Sequence, residues 1–298
     1  MTQLKVTVNR LNKRSSVPSN LSERNVVGVV QKGYLFEGTE VNHVPNPSLG
    51  KWYQDSNGYF YWAGGLAVLG IPLGMGIQIA GLPYNLPSPF RIGIDISHHN
   101  TLTDWNGLRM AGISFVYIKI SEGVGTPDPK AKELTQKAKQ YQFRTGYYHF
   151  CRPDRRSGGS ITEDAAAEAN DALGRMSSIG PSDLPLVMDL EDQQNWDTPL
   201  NPADYLLWIN TFMTRIREAT SMFPMIYSRK EYLDRRLPTD HPLGSHKLWI
   251  SRYSLQDTRR LQLPTGWHGW SIWQYCEDGS IGNNAKLDIN VLVDPTLF

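Results

Sequence analysis

The chain has 298 residues, of which 40% are hydrophobic and 20% are charged, and this composition is typical of a globular protein rather than a disordered one. Its 30 basic and 29 acidic residues leave a net charge of +1, so charge gives no reason to expect nucleic acid or an acidic membrane surface as a partner. No run predicts a membrane span, because glycines and a proline interrupt the most apolar stretch, residues 64–82. No signal peptide is visible at the N-terminus, which leaves secretion, a periplasmic location and release by lysis as alternatives.

Residues 1–66 are predicted to form a small all-β domain. Short apolar runs alternate with turn residues, and the segment from Asp55 to Gly58 between two aromatic-rich runs indicates a hairpin. The segments LNKR (11–14), VVGVVQKG (26–33) and WYQDSNGYFYW (52–62) resemble the bacterial SH3-like domains attached to cell-wall enzymes. The pattern of short runs and turns predicts a small barrel of about five strands. Exposed aromatic residues of this domain are expected to line a groove for a wall peptide or glycan.

A Gly- and Pro-rich segment at residues 67–89 is predicted to be a linker, although it is too apolar for a free tether. From residue 90 to 298, strand-like runs alternate with helical patterns, which predicts an α/β fold built as a (β/α) TIM-like barrel. The last third is poor in helix, so the barrel is expected to be distorted. The predicted strands are 91–97, 114–120, 144–151, 184–190, 224–228, 247–253 and 270–276, and the predicted helices are 129–141, 162–176, with Thr162 as N-cap, and 202–219, with Pro202 after Asn201.

Acidic residues stand at the ends of three strand-like runs. Asp189 and Glu191 follow the apolar run LPLVM (184–188), and as residues i and i+2 of a strand they share one face with Val187. Asp95 in GIDIS (93–97) and Asp288 in KLDIN (286–290) repeat the pattern of one acid among alternating apolar residues. Because the carboxyl ends of barrel strands meet on one face, these four acids are predicted to share a cleft.

Clustered carboxyl groups favour two chemistries, glycoside hydrolysis and binding of a hard metal ion. Glycoside hydrolysis needs a proton donor, and neighbouring carboxylates would raise the pKa of Glu191 as that role requires. The carboxyl groups of Asp189 and Glu191 are expected to lie roughly 6–7 Å apart. That separation falls between the spacings of retaining and inverting enzymes, so the stereochemical course stays open.

Seven segments in collinear order between residues 90 and 298 resemble glycoside hydrolase family 25, the lysozymes of the Chalaropsis type. They are GIDISHH (93–99), VYIKISEG (116–123), GYYHF (146–150), PLVMDLE (185–191), LWISRY (248–253), WQY (273–275) and LDIN (287–290). The resemblance implies a distorted β/α barrel and N-acetylmuramidase activity, which cleaves the β-1,4 bond between N-acetylmuramic acid and N-acetylglucosamine in peptidoglycan.

The same resemblance assigns roles to the four acids by their position in these segments. It implies that Glu191 is the general acid and that Asp189 assists the N-acetyl group of the substrate or is itself the nucleophile. Asp95 and Asp288 would complete the catalytic site by holding its charge and hydrogen bonds.

Other polar and aromatic residues of the predicted barrel are expected to bind substrate, by hydrogen bonds or by stacking on sugar rings. Lys119 is also expected to balance the charge of the acids or to pair with Glu122, whereas a buried histidine in the core is an alternative for His149. The predicted substrate-binding residues are His98, Lys119, Tyr147, His149, Tyr227, Trp249 and Trp273.

No zinc-binding spacing, P-loop or dinucleotide glycine motif occurs, so neither a metal nor a cofactor is expected. Cys151 and Cys276 are predicted to be free thiols, with a single bridge as the alternative. A monomer that acts on the glycan strands of the cell wall is the leading prediction. The alternatives are a non-catalytic wall-binding protein and a metal-dependent glycan hydrolase or deacetylase that uses Asp95, His98, Asp189 and Glu191.

Overall fold

A computed structural model describes residues 2–20, 22–70, 82–155, 159–193 and 199–297. The chain divides into two compact units, Met1–Ile77 and Gln78–Phe298. The described part of the first unit is built on β-strands, and the second unit combines strands with all of the described α-helices. None of the helices in these ranges has the length and apolar character needed to cross a membrane.

The first unit is a seven-stranded sheet in which neighbouring strands are antiparallel. Val6, Leu11 and Tyr61 form its core. The predicted hairpin is confirmed, because Gly58 has a φ of +82° and its N–H donates to the carbonyl of Asp55 at 3.0 Å. The strands are β1 (Thr2–Val6), β2 (Arg10–Arg14), β3 (Val26–Gln31), β4 (Leu35–Glu40), β5 (Trp52–Asp55), β6 (Phe60–Trp62) and β7 (Leu66–Gly70), in the spatial order β3-β2-β6-β5-β4-β1-β7.

The sheet extends beyond the predicted end of the first domain. β7 pairs with β1, with Ala67 opposite Lys5 and Val68 opposite Leu4, so the linker predicted for residues 67–89 begins inside a strand. This strand was not predicted because its five residues, LAVLG, show no clear alternation of apolar and polar side chains and adjoin glycines, as a linker would. Residues 71–81 of the predicted linker lie outside the described residues.

The second unit is built on a closed barrel of eight strands. β8 (Arg91–Ile96) pairs with both β9 (Ile113–Glu122) and β16 (Asn284–Leu292), and these two pairings close the barrel. The other strands of the barrel run parallel to β8, whereas β16 is antiparallel to both of its neighbours. The remaining strands are β11 (Arg144–Phe150), β12 (Val187–Asp189), β13 (Met225–Ser228), β14 (Leu248–Ser251) and β15 (Ile272–Ile281), with the short β10 (Thr126–Pro127) beside β9.

The α-helices lie on the connections between the parallel strands. One begins as predicted, because Asn201 caps it and Pro202 follows, but the helix predicted to start at Thr162 is capped by Ser160, which forms a reciprocal capping box with Glu163. The described chain between β14 and β15 has only the 3-10 turn Thr258–Arg260, so the helix-poor last third makes the barrel irregular, as predicted. The helices are α1 (Trp105–Met110), α2 (Ala131–Gln140), α3 (Ile161–Ile179), α4 (Pro202–Thr220) and α5 (Lys230–Arg236).

Aromatic side chains fill the barrel interior below the carboxyl ends of its strands. A β-carbon on Gly93 would lie 2.4 Å from the ring of Phe115, and one on Gly146 would lie 2.2 Å from the ring of Tyr117. Both glycines therefore make room for large rings, which are completely buried. The barrel is packed at this level, and the acidic residues lie above it, towards the carboxyl ends of the parallel strands.

Candidate active site

Four acidic residues from distant parts of the chain line one cavity at the carboxyl ends of the parallel strands. This acidic cavity has a volume of about 180 Å³. Three of the residues predicted to bind substrate, Lys119, Tyr227 and Trp249, also line it. The four acids are Asp95, Asp189, Glu191 and Asp288.

Strand alternation delivers these acids to the cavity. Val187 and Asp189 on β12 line it together with Glu191, which lies two residues beyond Asp189 and just past the end of the strand. Asp95 lies in β8 and is directly opposite Asp288 of β16. Since β16 is antiparallel to β8, Asp288 reaches the cavity from the middle of its strand rather than from a carboxyl end.

A buried network of hydrogen bonds fixes Asp95. Its Oδ2 atom accepts hydrogen bonds from Nε2 of Gln274 at 2.9 Å and from Nδ2 of Asn290 at 2.7 Å. The Oε1 atom of Gln274 accepts from the hydroxyls of Tyr227 at 2.6 Å and Tyr253 at 2.9 Å. These donors turn the amide group of Gln274 so that its N–H points at Asp95, which holds the carboxyl group in one orientation.

A hydrogen bond from Trp249 likewise fixes the orientation of the Asn290 amide group. Its Oδ1 atom accepts a hydrogen bond from Nε1 of Trp249 at 2.8 Å, which leaves its amide N–H free to donate to Asp95. Trp249, which was predicted to bind substrate, can therefore act in two ways. Its ring lines the cavity, and its N–H orients Asn290 in the hydrogen-bond network around Asp95.

Burial changes the acidity of the two carboxyl groups on β8 and β16. Removal from water raises the pKa of Asp95 to about 7, although the hydrogen bonds from Asn290 and Gln274 oppose the shift. Burial, followed by the charge of Asp95, raises the pKa of Asp288 to about 9. This pair of acids therefore holds a proton at neutral pH.

The two acids at the end of β12 influence one another. Burial and then the charge of Glu191 raise the pKa of Asp189 well above its ordinary value. Burial also raises the pKa of Glu191, against the charge of Arg229 and a hydrogen bond with Asp189, which lower it. Arg229 itself donates to Asp192 at 3.1 Å rather than forming an ion pair with Glu191.

Asp189 has unused hydrogen-bonding capacity. It is 5% exposed, and its Oδ1 atom is buried without a hydrogen-bond partner among the described residues. A buried carboxyl oxygen without a partner is costly, and such a group is satisfied when a ligand donates to it. This atom is therefore available to a donor group of a bound molecule.

Lys119 brings a lysine ammonium group to the cavity lining, and two other side chains hold it in place. Its Nζ atom donates to Oε2 of Glu122 at 2.7 Å, the pairing that the sequence suggested. Glu122 in turn accepts a hydrogen bond from Nε of Arg152 at 2.7 Å. Burial raises the pKa of both Asp189 and Glu191, and the positive charge of Lys119 opposes this rise.

Two residues of β11 that were predicted to bind substrate lie outside the cavity. Tyr147 is completely buried, and its hydroxyl donates to the carbonyl of Gly180 at 3.0 Å. His149 is also completely buried, with its two ring nitrogens 2.9 Å from Ser121 Oγ and 2.9 Å from Glu168 Oε2. Both side chains point away from the cavity because Tyr148 and Phe150, on the opposite face of the strand, line it.

His98 and Trp273 are likewise absent from the cavity lining. The Nδ1 atom of His98 lies 2.7 Å from Oδ2 of Asp128, and the neighbouring His99 lines the cavity instead. Trp273 is completely buried, and its Nε1 atom donates to the carbonyl of Arg252 at 2.9 Å. Within β15 adjacent residues alternate faces, so Gln274 rather than Trp273 faces the cavity. His98 and His99 lie in a turn beyond β8, and their ring centroids are 3.8 Å apart.

Several lining residues were not predicted from the sequence. The register of the barrel would have found one, because Tyr148 lies beside Lys119 and Val187, which both face the cavity. Gln274 lies between two aromatic residues, and the sequence carries no local sign that its amide group reaches Asp95. The residues that were missed are Ser97, His99, Tyr148, Phe150, Tyr253 and Gln274.

Potential metal ligands also occur away from the acidic cavity. His149, Cys151 and Glu168 place ligand atoms within 4.8 Å of one another, but all three residues are buried and none lines the cavity. Their polar atoms already bond within the protein, since Glu168 accepts hydrogen bonds from both His149 and the N–H of Arg152. Cys151 and Cys276 are free thiols, in agreement with the leading prediction.

The barrel and its cluster of carboxyl groups are those of a glycoside hydrolase. The model of the family described as Glycosyl hydrolases family 25 matches residues 94–284, and the chain belongs to this family. Lysozyme M1 of Streptomyces globisporus is 27% identical over 193 residues, which cover 64% of this chain and 63% of that protein, so the match spans less than two thirds of this relative. The N,O-diacetylmuramidase of Chalaropsis sp is 27% identical over 219 residues, which cover 65% of this chain and 97% of that protein.

Solved structures agree with the family assignment. The bacterial lysozyme from Streptomyces coelicolor has a TM-score of 0.59 at 25% identity, with 68% of this chain and 92% of that chain covered. The muramidase from Acremonium alcalophilum has a TM-score of 0.57 at 28% identity, with 69% and 95% covered.

Proposed function

We propose that the protein is an N-acetylmuramidase that cleaves the β-1,4 bond between N-acetylmuramic acid and N-acetylglucosamine in peptidoglycan. The observation that carries this proposal is the convergence of four carboxyl groups from β8, β12 and β16 in one cavity of a family 25 barrel. Glycoside hydrolysis requires a proton donor and a group that stabilises the oxocarbenium-like centre, and both can be drawn from these carboxyl groups.

Glu191 acts as the general acid. It is partly exposed at the cavity and its pKa is raised by burial, so it can keep a proton at a pH where an ordinary glutamate has lost it. Transfer of that proton to the glycosidic oxygen lets the bond to the leaving sugar break without forming a free alkoxide.

Asp189 assists the N-acetyl group of the substrate sugar. Its unpartnered Oδ1 atom can accept a hydrogen bond from the acetamido N–H, which makes the acetamido oxygen a better nucleophile towards the anomeric carbon. Asp95 and Asp288 hold the charge of the site, and Tyr148, Tyr227 and Trp249 offer surfaces for sugar rings. A retaining course with substrate assistance follows from these roles.

The first unit is proposed to be an SH3-like module that binds a wall peptide or glycan, and the second a TIM-like catalytic barrel that includes residues 90–298. The pairing of catalytic and binding modules fits a monomeric enzyme that acts on the cell wall from outside the membrane or after lysis. A pull-down of residues 1–77 with purified sacculi tests the module: retention on sacculi is expected, and equal retention on an unrelated insoluble polymer would contradict it.

Fragment analysis tests the activity directly. Purified peptidoglycan is incubated with the protein, and mass spectrometry identifies the new reducing-end sugar of the soluble fragments after borohydride reduction. Muramitol ends are expected from a muramidase. Glucosaminitol ends, or peptide fragments without new reducing ends, would show that the protein cleaves a different bond from the one proposed.

A further inference from the structure

A second cavity lies beside the acidic cavity and is lined by basic residues. It has a volume of about 190 Å³ and is formed by the end of β14, the beginning of α5 and residues 255–262. Trp249 and Tyr253 line the acidic cavity, whereas Ser251 and Arg252, between them in sequence, line the second one. The two cavities are therefore neighbours on either side of one short segment.

The positive charges of this second cavity differ in how far the protein already neutralises them. Lys230 forms an ion pair with Asp234. Arg252 lies 3.7 Å from Glu231, and both side chains are more than half exposed, which makes the pair weak. Arg260 has no side-chain partner in the part of the chain that the structure describes. The two arginines thus offer charge and N–H donors to an anion.

A buried hydroxyl in the same cavity lacks a partner. Ser251 is 2% exposed, and its Oγ atom has no hydrogen-bond partner among the described residues. Unsatisfied buried polar atoms are rare in folded proteins, and a ligand that accepts a hydrogen bond would satisfy this one. Together with Arg252 and Arg260, it gives three donor groups among the residues that line this cavity.

We propose that this second cavity binds a free carboxylate of the peptide stem that is attached to the muramic acid residue of the substrate. The inference rests on the proposed muramidase function. A carboxylate matches the planar donor fork of an arginine. Leu255 adds apolar surface and Glu231 adds a negative charge, which suits a peptide with side chains and an amino group better than a bare phosphate.

Binding of a small soluble stem peptide tests the site without reference to catalysis. The probe is the tripeptide L-alanyl-γ-D-glutamyl-L-lysine, titrated into the full-length protein by NMR or calorimetry, with the fully amidated tripeptide as its matched control. Wild-type protein is expected to bind the acid form, and Arg260→Gln and Arg252→Gln are each expected to weaken binding about tenfold. Arg215→Gln, on α4 and away from the cavity, serves as the control variant.

Equal binding of the amidated peptide, equal affinity for inorganic phosphate, or unchanged affinity in both cavity variants would overturn the proposal. Turnover supplies a second readout, on intact peptidoglycan and on glycan strands stripped of their peptides by an amidase. The ratio of kcat/KM on intact over stripped substrate should fall about tenfold in Arg260→Gln. An unchanged ratio would contradict the stem site even where wild-type fragments carry muramitol ends, so the two proposals fail separately.

Discussion

Asp95 and Asp288 are directly opposed residues of the antiparallel strands β8 and β16, and both side chains line the acidic cavity. Two ionised carboxyl groups in this arrangement repel one another. Burial is the largest cause of the raised pKa of each group, about 7 for Asp95 and about 9 for Asp288. The folded protein therefore keeps protons that the unfolded chain loses at much lower pH.

Replacing Asp288 with Asn is expected to stabilise the protein at alkaline pH. Because the folded state binds more protons than the unfolded state, stability falls as the pH rises from the ordinary value of 3.8 to the folded pKa of about 9. The variant lacks this loss and should gain about 1–2 kcal/mol near pH 9, which corresponds to a Tm higher by about 2–8 °C. Thermal unfolding near pH 5 and near pH 9 measures the difference. If Asp288→Asn gained the same stability at both pH values, or if the exposed control Asp240→Asn gained as much at pH 9, the raised pKa of Asp288 would not be the cause.

Glu191→Gln is expected to remove nearly all turnover while the fold is preserved. The glutamine keeps the shape of the side chain but cannot donate the proton, and loss of a general acid lowers rates by about 10²–10⁴-fold. Release of reducing ends from peptidoglycan measures the activity, and circular dichroism with thermal unfolding checks the fold. Glu218→Gln, a mostly exposed glutamate on α4, is the matched control. Full activity in Glu191→Gln would exclude its role as the acid.

Tyr147 and Tyr148 are adjacent, yet their substitution by phenylalanine should have different consequences. Tyr148 lines the acidic cavity, so Tyr148→Phe is expected to lower kcat/KM by about tenfold because a polar group that faces the substrate is removed. Tyr147→Phe removes the hydrogen bond to Gly180 and should lower stability by about 0.5–1.5 kcal/mol. Steady-state kinetics and denaturant unfolding of both variants measure the two effects, and the reverse assignment would show that the faces of β11 are exchanged.

The parts of the site that could be predicted depend on local alternation. Val187, Asp189 and Glu191 were placed on one face correctly, because a strand that ends in acids shows its period of two in the sequence. β11 gave no such sign, since a parallel strand buried on both faces carries large side chains on each. Tyr147 and His149, which were predicted to bind substrate, lie on the face away from the cavity, and for His149 this agrees with the alternative of a buried core histidine.

Hydrogen bonds between distant strands are the features of the site that local patterns in a single sequence do not reveal. Gln274 and Asn290 bind Asp95 across 179 and 195 residues of chain, and each looks like an ordinary polar residue in its own segment. Their roles depend on the order of strands around the barrel and on the antiparallel direction of β16. Neither the strand order nor this reversal follows from local periodicity.

Treatment with a metal chelator is expected to leave the activity unchanged. The metal-dependent alternative needed His98 beside Asp95 and Asp189, but the ring of His98 bonds to Asp128 and does not line the cavity. The assay compares reducing-end release after dialysis against EDTA with release after dialysis against buffer. Loss of activity that added zinc restores would support the metal-dependent alternative.

Removing the charge of Lys119 is expected to extend activity to higher pH. Its charge lowers the pKa of both Asp189 and Glu191, so Lys119→Met should raise these pKa values further. A general acid works only while it is protonated, and the alkaline limb of the pH profile should therefore move upwards by up to about one pH unit. The profile of kcat between mildly acidic and alkaline pH measures this shift.

The matched control for this prediction is Lys132→Met, an exposed lysine on α2. Lys119→Met is also expected to raise KM, because the side chain lies in the cavity and was predicted to bind substrate. The two effects can be separated, because removing an interaction that is equally strong in the ground state and the transition state changes KM without moving the pH limb of kcat. A rise in KM with an unmoved alkaline limb would mean that Lys119 binds substrate but does not set the acidity of Asp189 and Glu191.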